Sequence, residues 1–428
     1  MGQRVIKIIL RNGYQLLIAV LISAQAHLAW LFGEVFFRLT GRRQFPGSAR
    51  EEVQTVLVVR LDEIGDMVMT TPFLRELRRL LPHAHITLVV KPGVQNLFEP
   101  CPYVNQTIAF NFNYQMPSAL RPFILPLRSL RFAVRHLWGR RYDLALLPRW
   151  DTDYYYATFI AFWSGAPLRL GFTEKVTAKK RWANRGFDRL LTLALPDQAK
   201  RHETERPLLL LHTFGASGGD DRQELWIGES DREAASSLLH QMGVAEGQML
   251  IGIGPAGGHS ALKQWPLERF ARLGQWLEET YGARLALFGG PDEIELGQQL
   301  ADQIGPAAIN FIGRTSLRQT AALMALCRLY VGNDSGPTHI AAAVGVPVVA
   351  IFGSSCPHRF HPGENTTLVW HELPCSPCRT MSHEERCHVC IFDEPRCLTG
   401  IMVEEVQQAV AERLSAPARR LILTEGSH

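Results

Sequence analysis

The feature that most constrains the fold is a repeated alternation of short apolar runs and amphipathic helical patterns. The first series begins with an apolar run at 55–60, continues with a helical pattern at 66–81 and reaches a second apolar run at 85–90. A strand, a helix and a strand in this order form a right-handed parallel unit. A basic helix at 129–139 and a further strand at 142–147 extend the series.

A second series begins at a strand predicted for 249–253. The elements that follow it are helix 266–281, strand 284–288, helix 292–304, strand 309–312, helix 317–327, strand 329–332, helix 337–344 and strand 347–352. Uninterrupted alternation predicts an α/β protein with two doubly wound, Rossmann-like domains. They would join within the polar stretch 215–228, and the carboxyl edges of their sheets would face a central cleft that holds the ligand.

The chain is long enough for several folded parts. It has 428 residues, of which 46% are hydrophobic and 20% are charged, values that exclude a disordered or collagen-like protein. We predict a hydrophobic and basic N-terminal segment at 1–50, domains at 51–225 and 226–405, and a C-terminal helix and tail at 406–428. The second domain would include a cysteine-rich loop at 371–398.

The excess of basic over acidic side chains is concentrated at the N-terminus. Residues 1–43 carry six basic side chains and one acidic side chain, whereas the whole chain has a net charge of +4. The remainder is close to neutral, so a nucleic-acid partner is not expected.

An uncharged stretch at 12–33 is long enough to span a bilayer. No small-residue cleavage site follows it, so the segment is predicted to be retained as a hydrophobic helix. A helix in the membrane plane, with Trp30, Phe32, Phe36 and Phe37 at the interface, fits at least as well as a spanning helix. The alternative is a helix simply packed on the protein.

Three glycines match the dinucleotide-binding pattern GxGxxG: Gly252, Gly254 and Gly257. That pattern requires a helix at the third glycine and an acidic residue after the second strand, and both are missing here. What remains is a loop with exposed backbone N–H groups at Gly257 and Gly258, followed by Lys263, which suits a diphosphate without a nicotinamide. Glycines that merely turn the chain are the alternative.

A second motif, at 332–339, closes a strand and opens a helix with a proline. It brings Ser335, Thr338 and His339 to a helix N-terminus, where backbone N–H donors and the helix dipole attract an anion. The sequence therefore predicts a phosphate site. In the alternative interpretation Asp334 or Ser335 only caps the helix and His339 is a core residue.

Three carboxylates follow the first strand: Asp62, Glu63 and Asp66. Asp66 comes directly after Gly65 at the mouth of the predicted helix and would face the cleft. A carboxylate there can take a proton from an attacking hydroxyl. The alternative is that Asp66 is a helix cap.

These residues together resemble the heptosyltransferase family, glycosyltransferase family 9, whose members have the two-domain GT-B fold. The resemblance extends from residue 55 to about 410. It rests on four motifs in the same order, which are Gly65-Asp66, the Lys-Gln-Trp-Pro of 263–266, the Gly-Gly-Pro of 289–291 with Glu293, and 333–339.

The resemblance implies roles for particular residues. Asp66 would be the general base and Lys263 would clamp the diphosphate. The donor-binding set would comprise Gly257, Gly258, Glu293 at the ribose, Thr315 on the adenine side, and Asp334, Ser335, Gly336, Thr338 and His339 around the phosphates and sugar.

The resemblance also implies an inverting transfer, without a catalytic cofactor, from a nucleotide sugar, typically ADP-heptose, to a lipopolysaccharide-core glycolipid. Such an enzyme would work at the cytoplasmic face of the bacterial inner membrane. Two competing hypotheses are an NAD-dependent oxidoreductase and a catalytically silent glycan-binding, membrane-associated protein.

Basic residues of the first domain are candidates for binding the phosphates and acidic sugars of the acceptor. They are Arg128, Arg131, Arg135, Lys179 and Lys180. A solvated helix face is an equal alternative.

Five cysteines cluster near the C-terminus: Cys375, Cys378, Cys387, Cys390 and Cys397. Two CxxC pairs at this distance predict a metal, with structural zinc favoured and an iron–sulfur cluster as the alternative. A metal-free structural feature of the fold is also considered.

Overall fold

The structure is a computed structural model that describes residues 2–41, 53–112, 116–117, 120–258, 260–378 and 390–415, with side chains from residue 18 onward. The chain forms two compact units. Unit 1 comprises Met1–Asp62, Pro72–Gln95 and Cys101–Asp221, and unit 2 comprises Glu63–Thr71, Asn96–Pro100 and Arg222–His428.

Unit 1 is built on a parallel sheet of six strands. They are β1 (Thr55–Val59), β2 (His85–Val90), β3 (Gln106–Ala109), β4 (Leu144–Leu147), β5 (Leu168–Phe172) and β6 (Leu193–Leu195). Their order is β3-β2-β1-β4-β5-β6, with β1 paired to β2 on one side and to β4 on the other. From β1 the chain adds β2 and β3 on one side of the sheet and then β4, β5 and β6 on the other side. The gap between β1 and β4 is therefore the switch point, the place where ligands bind in doubly wound folds.

Unit 2 repeats this arrangement. Its strands are β7 (Leu250–Gly254), β8 (Arg284–Leu287), β9 (Ala308–Asn310), β10 (Leu329–Asn333), β11 (Val348–Phe352) and β12 (Thr366–Trp370). The order is β12-β11-β10-β7-β8-β9, so the corresponding switch point lies between β7 and β10. The predicted pair of doubly wound domains is confirmed.

Helices cover the sheets. They are α1 (Gly2–Leu39), α2 (Ile64–Val68), α3 (Thr71–Leu80), α4 (Pro92–Phe98), α5 (Arg121–Phe132), α6 (Ala157–Trp163), α7 (Ala178–Ala183), α8 (Glu205–His212), α9 (Glu229–Gln241), α10 (Leu267–Tyr281), α11 (Ile294–Ile304), α12 (Leu317–Met324), α13 (Gly336–Ala343), α14 (Pro357–Phe360), α15 (Arg396–Thr399) and α16 (Val403–Ser415). A π-helical turn, Ala133–Leu137, continues α5.

One predicted helix is divided in two. The pattern at 66–81 predicted a single helix, but α2 ends at Val68 and α3 begins at Thr71. Pro72 has no N–H to donate to an earlier carbonyl and disfavours a helical conformation at the residue before it. The Thr71 hydroxyl instead donates to Val68 O at 2.8 Å. The break leaves α2 as a separate short helix, which packs in unit 2.

The N-terminal helix α1 packs on unit 1 along one of its faces. Its inward side chains, Ala26 and Phe37, are fully buried in the core of that unit. Phe37 is therefore a core residue and not the membrane-interface residue that was predicted. Phe36 stacks on Trp138 with ring centroids 5.3 Å apart, and Trp30 lies under the Arg189 guanidinium.

Candidate active site

The switch point of the second sheet gathers the polar residues of two motifs. Lys263 lies in a 3-10 turn, Ala261–Lys263, and its Nζ is 2.6 Å from Asp334 Oδ2 at the end of β10. Asn333 fixes the loop that carries the lysine, because its Nδ2 donates to Pro255 O and its Oδ1 accepts from Trp265 N. The predicted motifs at 263–266 and 333–339 are thus joined.

Asp334 is buried and charged. Burial alone would raise the pKa of its carboxyl, but the Lys263 charge and the His339 ring outweigh burial and hold that pKa well below its usual range. His339 is itself buried, with Nε2 3.9 Å from Asp334 Oδ1 and Nδ1 3.3 Å from Gln223 Oε1. Asp334 is therefore placed to hold Lys263 and His339 in position.

The N-terminus of α13 has the character of an anion site. Ser335 caps this helix with extended backbone, and its buried hydroxyl has no hydrogen-bond partner among the described residues. Gly336 and Pro337 form the first turn, which leaves backbone N–H donors at the end of the helix. The hydroxyl of Thr338, another predicted donor-binding residue, donates to Asn333 O at 2.5 Å and stabilises the turn.

Two further buried hydroxyls were not predicted from the sequence. Ser354 and Ser355 follow β11, the strand beside β10, and both side-chain oxygens are buried without a hydrogen-bond partner in the described part of the chain. Buried polar groups are nearly always satisfied in folded proteins, so these hydroxyls are available to hydrogen-bond an ordered water or a ligand. The Gly-Ser-Ser sequence directly after an apolar strand is the signal that could have found them.

The glycines of the GxGxxG pattern have two different uses. Gly252 and Gly254 lie within β7, where a Cβ would collide with the side chain of Tyr330 on β10. They make room for this aromatic ring. Gly257 contacts the backbone of the following loop, since a Cβ there would lie 2.7 Å from Ser260 O, and Gly258 has φ +63°. The close backbone contact at Gly257 leaves no room for a side chain at that position.

Two other predicted donor residues lie in the loops after β8 and β9. The Glu293 carboxylate accepts from Gly290 N at 2.7 Å and closes its own 3-10 turn. The Thr315 hydroxyl is 2.7 Å from that of Thr320. Both side chains therefore have intramolecular partners at the carboxyl edge of the sheet.

The three carboxylates after β1 have different environments. Asp62 is buried in unit 1, where it pairs with Arg60 at 2.5 Å and with Arg149. Glu63 is exposed and immediately precedes α2. Asp66 is half-buried in the first turn of α2.

Helix α2 packs closely on α13 in unit 2. A Cβ at Gly65 would lie 2.9 Å from His339 Cδ2, and a Cβ at Gly336 would lie 2.9 Å from Ile64 Cβ. Two glycines, one on each helix, allow this approach. The helix that carries Asp66 is thereby held against the helix whose N-terminus suits an anion.

Comparison with known proteins identifies the family of this chain. The sequence profile of glycosyltransferase family 9 (heptosyltransferase) matches residues 131–388, more than half of the chain. The protein belongs to glycosyltransferase family 9. The predicted family and the predicted glycosyltransferase activity are confirmed.

Relatives and solved structures agree with the family. Lipopolysaccharide heptosyltransferase 2 of Escherichia coli K12 is 26% identical over 317 residues, which cover 71% of this chain and 83% of that protein. A family 9 glycosyltransferase structure from Veillonella parvula has a TM-score of 0.69 at 24% identity, covering 84% of this chain and 97% of that one.

Two further similar structures contain a donor analogue or a metal. The E. coli heptosyltransferase WaaC with ADP-2-deoxy-2-fluoro heptose has a TM-score of 0.59 at 18% identity and covers 84% of this chain and 99% of that one. The iron-containing dodecameric glycosyltransferase TibC of enterotoxigenic E. coli has a TM-score of 0.51 at 14% identity, covering 84% and 76%. The predicted GT-B fold is confirmed.

In unit 1 of this glycosyltransferase, basic and aromatic side chains meet at the carboxyl edge of the sheet. Lys91 follows β2, and its Nζ donates to the Tyr155 hydroxyl at 3.2 Å and lies 4.3 Å from the centre of that ring. Arg149 follows β4 and lies, like Lys179, over Tyr154. Sequence reasoning missed Lys91 and Arg149, although each is the first charged residue after an apolar strand.

The other four residues predicted to bind the acceptor have different surroundings. Lys180 is buried, and its Nζ donates to Trp150 O and Phe172 O. Burial lowers its pKa to about 8. The other three, Arg128, Arg131 and Arg135, lie on α5 and its π-helical turn, and the last two are exposed.

The cysteine cluster is described in part, because Cys387 lies outside the described residues. Burial raises the pKa of the Cys397 thiol, and Cys375 and Cys390 act electrostatically in the same direction. In the described ranges, no three His, Cys, Asp or Glu side chains are arranged as metal ligands. Cys378 is half-buried two residues after the backbone bridge between Leu373 and Ser376.

Proposed function

We propose that this enzyme transfers a heptose from ADP-heptose to a lipopolysaccharide-core acceptor, with inversion at the anomeric carbon and without a catalytic cofactor. The name of the E. coli relative and the ligand of WaaC support this sugar and donor. The observation that carries the proposal is the packing of α2, which bears Asp66, on the anion-attracting end of α13.

The donor diphosphate would bind at the N-terminus of α13. Backbone N–H groups there point out of the helix, and the hydroxyls of Ser335, Ser354 and Ser355 can donate to phosphate oxygens. Lys263, held by Asp334, supplies a positive charge. As the bond from the anomeric carbon to the diphosphate breaks, negative charge grows on ADP, and these fixed groups stabilise it.

The nucleoside would extend along the same sheet edge. Glu293 accepts one N–H from its own turn, and a carboxylate can accept further hydrogen bonds, in this case from a ribose hydroxyl. Thr315 would contact the adenine side.

Asp66 would act as the general base. Its carboxylate takes the proton of the acceptor hydroxyl while that oxygen attacks the anomeric carbon from the side opposite the diphosphate. The new glycosidic bond forms as the bond to ADP breaks, and Asp66 carries the proton afterwards. Of the three carboxylates after β1, Asp62 is paired inside unit 1 and Glu63 is exposed, which supports this choice.

The acceptor would meet the carboxyl edge of the first sheet. A lipopolysaccharide core carries anionic groups, and Lys91, Arg149 and Lys179 are cations set among aromatic rings that can also stack on sugars.

The experiment is a transfer assay with purified enzyme, ADP-heptose and a delipidated core acceptor. We expect a product heavier by one heptose with an inverted anomeric linkage, seen by mass spectrometry and NMR, also in the presence of a chelator. UDP-glucose and GDP-mannose serve as controls. Transfer from these sugars but not from ADP-heptose, or a retained anomeric configuration, would contradict the proposal.

The cysteine cluster would hold one structural metal with Cys375, Cys378, Cys387, Cys390 and Cys397 as the available ligands. Cys375 and Cys390 lie close enough to Cys397 to raise the pKa of its thiol, and a bound cation stabilises thiolates at such a cluster. Zinc suits four thiolates, and the structurally similar glycosyltransferase TibC contains iron.

Elemental analysis of untagged protein purified anaerobically should find about one zinc or iron per chain. Cys378→Ser should lower both the metal content and the melting temperature, whereas Cys101→Ser, a buried cysteine of unit 1, should leave the metal content unchanged. Fully folded and active protein without metal would contradict this assignment.

The site of action would be the cytoplasmic face of the inner membrane, where the glycolipid acceptor is available. In the described part of the chain, Ile18–Leu39 is the helical stretch that is long and apolar enough to cross a membrane.

A further inference from the structure

We propose that α1 and α5 together form a docking surface for an anionic lipid bilayer, with α1 lying in the membrane plane. The inference rests on the membrane location proposed above and specifies the surface that makes the contact. It also assigns the arginines of α5 to lipid headgroups and not to the acceptor sugar.

The outward face of α1 is mostly apolar, with His27 and Arg38 also exposed on it, although the inward face is already buried in unit 1. Large apolar side chains are exposed at helical spacing on this outward face: Val20, Leu28, Leu31, Phe32, Val35 and Leu39. Phe32 exposes 66% of its surface. A soluble helix would carry polar residues there, so a contiguous apolar stripe of this kind indicates a contact surface.

The inward face decides between a helix in the plane and a helix that spans. Ala26 and Phe37 are fully buried by unit 1, and a Cβ at Gly33 would overlap the Phe162 ring. A spanning helix meets lipid on all sides, so it would have to leave this packing and expose the apolar core beneath it. A helix in the plane keeps unit 1 on one side and meets lipid on the other.

Helix α5 continues the surface. It contacts α1, and the stack of Phe36 on Trp138 joins α1 to the π-helical turn after α5. Large apolar side chains are exposed at Leu120 just before the helix, at Phe123 and Leu127 within it, and at Val134 in the π-helical turn. Leu127 exposes 69% of its surface. Two neighbouring helices thus leave apolar side chains uncovered.

The positive charge of α5 and the π-helical turn favours an anionic partner. Arg128, Arg131 and Arg135 lie among these apolar side chains, and the sequence has no Asp or Glu between Glu99 and Asp143. A purely apolar partner would leave the guanidinium groups without counter-charges. An anionic bilayer provides phosphates for the arginines and acyl chains for the leucines and phenylalanines.

The direction of α5 separates these arginines from the acceptor edge. The helix lies between β3 and β4 in the chain, and in a parallel βαβ unit the helix runs back toward the amino ends of the strands. Arg131 and Arg135 are therefore near the edge of the first sheet opposite to the one where Lys91 and Arg149 lie.

The test is sedimentation of the full chain with vesicles of phosphatidylglycerol and phosphatidylethanolamine, or of phosphatidylcholine alone, all without lipopolysaccharide. We expect binding to the anionic vesicles only. Leu127→Glu should weaken it about tenfold or more, and Arg131→Gln about fivefold. Met242→Glu, which changes an exposed apolar residue of unit 2, should bind like the wild type.

The proposal would be overturned if both α5 variants bound anionic vesicles as well as the wild type does, or if the wild type bound neutral vesicles equally well. It would also be overturned if light scattering showed a dimer that Leu127→Glu separates, because a second copy of the chain would then be the partner. Circular dichroism checks folding, and Leu127→Gln replaces the glutamate variant if that fails to fold.

A transfer assay with a delipidated acceptor separates this proposal from the catalytic one. Leu127→Glu should transfer at the wild-type rate in that assay. Absence of transfer by the wild type would refute the proposed reaction and leave the vesicle result to be judged by itself.

Discussion

At the scale of single residues, neighbouring side chains of the same type differ because their surroundings differ. Asp62 and Asp66 are four residues apart, yet Asp62 is enclosed by two arginines of unit 1 and Asp66 lies half-buried on a short helix of unit 2. A carboxylate enclosed by two cations is poorly suited to accept a proton, because they stabilise its ionised form.

Asp66→Asn should lower the turnover number by about 100-fold or more, since an amide cannot accept the proton of the acceptor hydroxyl. Binding of ADP, measured by calorimetry, should change little. Glu63→Gln is the matched control and should keep turnover near that of the wild type. Turnover of the Asp66 variant within a few-fold of wild type would exclude it as the base.

Lys263→Ala should weaken ADP binding and slow the transfer, because the lysine neutralises charge on the diphosphate. It should also destabilise the fold, because it leaves the buried Asp334 charge without its nearest cation. Calorimetry measures the ADP affinity, a transfer assay measures the rate, and thermal unfolding measures the stability. The control is Arg272→Ala, an exposed cation of the same unit, and unchanged affinity together with unchanged rate would remove Lys263 from the site.

At the scale of elements, the contact between α2 and α13 depends on small residues. The ring of His339 and the side chain of Ile64 occupy the space that a Cβ at Gly65 or Gly336 would need. Packed interiors have little room to adjust, so an added methyl group has to move one helix relative to the other.

Gly65→Ala should lower the turnover number about tenfold while leaving ADP affinity nearly unchanged, because it shifts the helix of the base and not the diphosphate site. In a double-mutant cycle with His339→Ala, the Gly65 substitution should lower the turnover number by a smaller factor, since the ring that the added methyl group meets is gone. Gly93→Ala, where a Cβ meets nothing within 4 Å, is the control. Additive effects would show that the contact has no part in positioning Asp66.

At the scale of the whole molecule, two units share one strand order, and each buries charged groups near a sheet edge. Lys180 is one such group in unit 1, where two backbone carbonyls accept its hydrogen bonds. These hydrogen bonds link Lys180 to the loop after β4 and to the last residue of β5.

Lys180→Met should lower the free energy of unfolding by about 1–3 kcal/mol, because the two carbonyls lose their donor. Burial lowers the folded pKa of Lys180 to about 8 from an ordinary value of 10.5. Between these pH values the unfolded lysine holds a proton that the folded one has released, so its contribution to stability rises with pH.

The stability difference between wild type and Lys180→Met should therefore grow in favour of the wild type between about pH 8 and pH 10, measured by urea unfolding. Lys179→Met, which changes a neighbouring lysine that is only half-buried, is the control. A difference that stays constant over this range would contradict burial of the ammonium group.

Much of the fold could be predicted from the sequence, because strands and helices of a doubly wound domain have distinct local periods. The strand predicted at 85–90 has the observed bounds, and the one predicted at 347–352 begins one residue early. The strand end and helix start at 333–339 were also predictable, since both lie in one short stretch of the chain.

Contacts between distant residues could not be predicted in this way, because local periodicity does not say which faces meet. Tertiary structure alone decided that Gly252 and Gly254 make room for Tyr330, and that the segment of Asp66 packs in unit 2. It also buried Lys180 and left Arg131 exposed, although both are basic residues on short stretches of helix. Burial is a property of the assembled layers, and the charge and spacing of a residue do not encode it.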